Sequence, residues 1–125
     1  MPVITEGMNL GDLLKYEAPN LYSRDQATVA SGQNLALGAV VGMVSATGKV
    51  KALDPAATDG SQTAAGILLQ PVDATAGDRD DGILLARHAI VADHALVWPA
   101  GITNAEKAAA VAQLKAIGIL VRKGV

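Results

Sequence analysis

His88, Asp93 and His94 are the only local set of side chains in this sequence that resembles a reactive centre. Zinc needs three protein ligands converging at about 2 Å on one point. The two histidines stand six positions apart with a turn signal at Ala92-Asp93 between them, and no third His, Cys or Glu is near. In a half-buried strand, a lone histidine is more often packed or solvated than metal-bound. Asp73, Asp78, Asp80 and Asp81 suggest calcium, but the EF-hand spacing fails. Counted from Asp78, Gly82 falls where an oxygen ligand is needed, Ile83 where the central glycine belongs, and Ala89 where the closing glutamate belongs. These residues read as a solvated acidic loop. Ser23, Ser31, Ser45 and Ser61 lie in turn-like contexts without a Gly-x-Ser-x-Gly elbow. Thr47-Gly48-Lys49 lacks the glycine and hydroxyl partners of a phosphate loop. Trp98 before Pro99 is a possible ligand platform, but a core or interface anchor is the commoner role. The expectation is a protein that is not an enzyme, with no cofactor, no metal and no small-molecule substrate.

The elements that would carry these residues are mostly short strands. From Ala27 onward, apolar runs alternate with turn signals. Val40–Val44 and Lys49–Leu53 flank Ala46-Thr47-Gly48 and read as a hairpin. Ala65–Leu69 is a buried-type strand stopped by Pro71, Asp73–Gly82 is an acidic loop, and Ile83–Val91 is the longest strand candidate. Thr103-Asn104-Ala105-Glu106 has the form of a capping box, opening a helix over Ala105–Ile117 that Gly118 ends. Val111, Leu114 and Ile117 would form its apolar stripe, and a last strand, Ile119–Arg122, follows. The fold class is therefore mainly β: a compact small domain with one C-terminal helix. Residues 1 to about 30 differ, with Gly7, Gly11 and Pro19 among Leu13, Leu14, Tyr16, Leu21 and Tyr22. Two readings stand for them: a frayed terminus laid on the core, or a flexible arm that orders against a partner. The corresponding division is an arm over 1–30 and a β-rich domain over 31–125.

Composition adds a constraint. The 125 residues are half apolar, yet there is no Phe, and Tyr16, Tyr22 and Trp98 are the only aromatics. Burial of one Val or Leu contributes roughly 1.5–3 kcal/mol and Ala contributes less, so a chain this short gains from self-association. The net charge is −2 with no basic cluster beyond Arg122-Lys123. That speaks against nucleic acid and against an anionic membrane as partners. The longest apolar stretch, Leu35–Val44, is too short to span a bilayer. The N-terminal residues lack the pattern of a signal peptide. Absence of cysteine is compatible with assembly in a reducing cytoplasm.

Tyr22-Ser23-Arg24-Asp25, Ala27–Gln33, Leu35-x-Leu37-Gly38-x-Val40-Val41-Gly42, Asp59–Leu68, Leu85–Val91, the Trp98-Pro99 corner and the close at Leu114–Lys123 occur in that order. Taken together they resemble the head decoration proteins of tailed bacteriophages. The resemblance implies a homotrimer on the outer surface of the expanded capsid, assembled in the host cytoplasm, which stabilises the shell against the pressure of packaged DNA. It implies the major capsid protein as partner and an N-terminal arm as the contact, with Leu13, Leu14, Tyr16, Leu21, Tyr22 and Arg24 as the expected capsid-binding residues. The alternative is a carbohydrate- or surface-binding β module of a phage or bacterial adhesin.

Overall fold

Val40-Val41, Ile67-Leu68-Leu69 and Leu84-Leu85 are consecutive apolar residues, and neighbours along a strand face opposite sides of a sheet. Such strands need a core on each side. A computed structural model, describing residues 10–19 and 22–123, supplies both. Val40, Ile67, Leu69 and Leu85 join one buried cluster with Leu13, Val91, Leu114 and Ile119. Val41, Leu68 and Leu84 join a second with Val29, Leu35, Val50 and Val72. The alternation divides one chain between two small cores, and side chains no larger than Leu and Ile fill them.

The second core lies within a closed five-stranded barrel, ordered β2 (Arg24–Val29), β5 (Val50–Ala52), β4 (Val40–Met43), β6 (Ala64–Leu68) and β8 (Arg79–Leu85). Four of its five pairings are antiparallel; β2 and β5 meet in parallel at Val29 and Val50. A short pair, β3 (Asn34–Leu35) with β7 (Val72–Asp73), adds Leu35 and Val72 to this core. Close backbone approach requires glycine at several positions in the barrel strands, Gly42 and Gly66 among them. A Cβ on Gly42 would lie 2.4 Å from the Ser61 carbonyl oxygen, and one on Gly66 2.5 Å from that of Leu85.

Outside the barrel, β9 (Ala89–Ala92) is the middle of a three-stranded sheet. β1 (Leu14–Glu17) runs antiparallel to it, Leu14 opposite Val91 and Tyr16 opposite Ile90. β10 (Ile119–Arg122) runs parallel on its other side, Ile119 opposite Ala89 and Arg122 opposite Ala92. One helical turn, α1 (Leu10–Leu13), precedes β1. A 3₁₀ turn at Asp93–Ala95 and the helix α2 (Asn104–Ala116) link β9 to β10, as a parallel pair requires. The fold is β-rich with a single long helix near the C-terminus.

The α2 cap is the one the sequence predicts. The Thr103 hydroxyl accepts from the Glu106 N–H at 3.1 Å, and the Glu106 carboxylate accepts from the Thr103 N–H at 2.9 Å. Gly118 follows with φ of 86°, the left-handed conformation of a helix stop. Of the expected stripe, Leu114 is buried and Val111 and Ile117 are half-buried; Ala110 joins Leu114 inside. Thr103→Ala should lower stability by about 0.5–2 kcal/mol. Coincident thermal melts of variant and parent would contradict that role for the cap.

Three expectations need correction. The strand expected over Ile83–Val91 is two strands, broken at Ala86–His88. His88 has φ of 51°, the only positive value at a non-glycine among the described residues. The acidic loop expected to run to Gly82 gives way to β8 at Arg79, because Arg79 and Gly82 pair with Val29 and Ala27. The domain boundary expected near residue 30 does not coincide with the fold. Leu13 is fully buried, β1 pairs with β9, and β2 closes the barrel, so the folded part already includes Leu10. Partners distant in sequence hold this stretch in place, which is why it shows little local period. Residues 1–9 of the expected arm, and Leu21, lie outside the described residues.

Candidate functional site

A fully buried hydroxyl organises the surface that the N-terminal stretch shares with the Arg87-His88 corner. The Ser23 Oγ accepts from the Ala18 N–H and donates to the His88 carbonyl, each at 2.9 Å. The Ala86 N–H donates to the Ser23 carbonyl at 2.8 Å. These bonds tie the β1–β2 connection to the β8–β9 corner. A Cβ on Gly118 would come within 3.1 Å of the His88 ring and backbone nitrogen, so the corner also rests closely on the turn before β10.

Rings and paired charges stand on this base. The Tyr22 and His88 rings meet edge to face, with centroids 5.2 Å apart and planes at 82°. The Arg87 guanidinium lies 5.4 Å from the centroid of the Tyr22 ring, donates to the Tyr22 carbonyl at 2.6 Å and forks onto Asp25. Arg24 forks in the same way onto Glu17, at 2.7 and 2.6 Å. Hydrogen bonds from these guanidinium groups to Glu17 and Asp25 hold both arginines above their ordinary pKa. Across the outward face of the three-stranded sheet, Tyr16, Ile90 and Leu120 share one register row. They border a shallow groove of about 330 Å³ with His88 and Ala18.

Five of the six expected contact residues lie among the described residues, and they fare differently. Tyr16 and Tyr22 are each 54% exposed. Arg24 is half-buried in its ion pair, Leu14 is half-buried against the core, and Leu13 is core. Leu13 therefore cannot touch a partner while the domain is folded. Arg87, His88, Ile90 and Leu120 complete the surface, and sequence reasoning did not place them there. The alternation in Ala89-Ile90-Val91 and Ile119-Leu120-Val121 shows that one residue of each trio faces away from its neighbours, but not which face is outside. With its charges paired, this surface suits binding: tyrosines give large contact area with few rotamers to immobilise.

The candidate metal residues do not converge. His88 borders the groove beside Tyr16, whereas His94 and Asp93 border a separate cleft. Among the described residues no group of three His, Cys, Asp or Glu could hold a metal ion. Three of the four carboxylates, Asp73, Asp78 and Asp81, have protein partners instead. The Thr75 hydroxyl holds Asp73, Lys49 holds Asp78 and Arg79 holds Asp81, and each hydrogen bond pulls the carboxyl below its ordinary pKa. Elemental analysis should find no stoichiometric zinc or calcium; one bound metal per chain would return these residues to a chemical role.

Comparison with protein families matches residues 3–119 to the family described as bacteriophage lambda head decoration protein D. No curated protein matches the chain.

Proposed function

The chain belongs to the bacteriophage lambda head decoration protein D family and so is a structural protein of the phage capsid, and from that premise we propose that it cements the expanded shell from outside as a homotrimer. Its partner in this reading is the major capsid protein, and its task is to hold the shell against packaged-DNA pressure. The folded domain includes Leu10, so in this reading the arm precedes it. The surface of Tyr16, Tyr22 and His88 continues the contact onto the folded domain. The observation that supports this extension is the exposure of both tyrosines on a rigid, hydrogen-bonded base.

The physics of such a contact is multivalent. Once one chain of a trimer has bound, the others meet a high effective concentration, which can raise avidity by ~10²–10⁴. A ligand that fits only the expanded lattice also shifts the shell toward that state. An arm that orders on binding loses about 1–2 kcal/mol of backbone entropy per ordered residue. Pairing as an added strand on a sheet edge of the capsid protein offsets that cost, because it satisfies N–H and C=O groups together.

The exposed tyrosines are also what a glycan-binding surface would present, so the test has three arms. Purified protein is mixed with expanded empty shells, with unexpanded precursors and with a glycan resin. Sedimentation with expanded shells alone is expected. Capture by the resin with no binding to shells would replace this function with the carbohydrate-binding one. Light scattering coupled to size exclusion reads the oligomer, and a stable monomer at micromolar concentration would remove the trimer.

A further inference from the structure

The ten basic residues divide sharply. Arg24, Lys49, Lys51, Arg79 and Arg87 each form an ion pair within the chain. Lys15 bonds to the Gly11 carbonyl. Lys107, Lys115, Arg122 and Lys123 have no carboxylate partner among the described residues; two lie on α2, one ends β10 and one follows it. Residues 24–86, which include every barrel strand, carry four basic against seven acidic side chains; residues 87–123 carry five basic against two acidic. Charge is therefore segregated along the chain.

The basic segment lines a cleft of about 740 Å³. Lys107 and Lys123 line it, with Leu96, Trp98 and Val111 as its apolar part; Asp93 and His94 also border it. Trp98 borders a second groove next to Val97, which is 39% exposed, so the apolar surface continues past the cleft. The acidic segment carries a preformed knob, the turn over residues 74–78 together with the first residues of β8, Arg79–Asp81. Thr75 donates to Asp73 from both its N–H and its hydroxyl, and the Ser31 N–H and Lys49 hold Asp78. Ala76 and Gly77 keep the turn slim, and the exposed Asp80 carboxylate, in β8, has no partner among the described residues.

We infer that this acidic knob of one copy, the 74–78 turn and the start of β8, seats in the Trp98 cleft of the next, setting Asp80 against Lys107 and Lys123. Each chain then donates one knob and receives one. Such a head-to-tail contact uses two different patches and closes into a ring when the rotation between copies allows it. Charge complementarity selects a second copy as the occupant, because the chain carries an acidic knob and a basic cleft on separate elements. A loop that is already rigid loses little entropy on docking. This inference rests on the homotrimer proposed above.

Charge exchange tests it. Light scattering at a series of concentrations compares the full chain with Lys107→Glu plus Lys123→Glu, with Asp80→Lys, and with all three changes combined. Each one-sided variant should raise the concentration of half-assembly about tenfold or more at low salt. The combined variant should recover most of the loss, and thermal melts of dilute samples should show every variant folded. A parent that is monomeric would overturn the trimer and this contact together. A trimeric parent with variants that assemble equally well would overturn the contact alone. Trimers that persist while shell binding falls would assign the cleft to the capsid protein and overturn it as well.

Discussion

Removal of residues 2–9 should leave the barrel folded and abolish most binding to expanded shells, whereas removal of residues 2–20 should destroy the fold. The difference lies in what begins at Leu10. Leu13 is fully buried against the cluster that includes Val91, Leu114 and Ile119, and β1 pairs with β9 at three positions. Replacing Leu13 by Ala alone should cost about 2–5 kcal/mol, against a total stability on the order of 5–15 kcal/mol for a domain. Losing all of β1 adds an unpaired edge on β9 and strips Ser23 of the Ala18 N–H. Thermal melts read the fold, and sedimentation with shells reads the contact. A chain lacking residues 2–20 that melts with the parent would show that β1 is dispensable. A chain lacking residues 2–9 that still decorates shells at near-parent affinity would place the whole contact on the Tyr16, Tyr22 and His88 surface.

Gly42→Ala should be nearly as damaging, although it adds one methyl group. That methyl would lie 2.4 Å from the Ser61 carbonyl oxygen and 2.6 Å from its Cα. Both are backbone atoms, so no side chain can rotate away. Gly42 pairs with Lys51 on one side and Ala64 on the other, which leaves the β4 backbone little room to retreat. The expected loss is about 3 kcal/mol, the upper end of overpacking costs, or a fall in Tm of roughly 10 °C or more. Gly77→Ala is the control: no atom lies within 4 Å of the added Cβ, and its melt should match the parent. A Gly42→Ala melt within a degree or two of the parent would mean that the barrel gives way more easily than its backbone contacts imply.

What the sequence disclosed was local. The β4–β5 hairpin, the Thr103 cap and the Gly118 stop were legible because turn and cap chemistry operate within a few residues. The joining of β1 to β9 was not legible, since Leu14 meets Val91 across most of the chain. The same holds for β2, whose Arg24 pairs with Leu85. His88 shows the difficulty most clearly. Nothing in Arg87-His88-Ala89 signals a left-handed residue; Ser23 and the turn at Gly118 hold it there from either side. At the candidate site the two tyrosines were visible as the only aromatics of the N-terminal half. Arg87, Ile90 and Leu120 were hidden because an apolar trio in a strand does not announce which residue faces water.

The register of the three-stranded sheet has a topological corollary. The chain enters β1 at Leu14, opposite Val91, and leaves β10 at Arg122, opposite Ala92. Entry and exit therefore flank the same end of one strand, about 10 Å apart at ordinary strand spacing. Chain order is then incidental to the packed structure. A short bridge could join Arg122 to the turn before Leu14, and a cut between Ala76 and Gly77, at an exposed loop, would give the same two cores a new first and last residue.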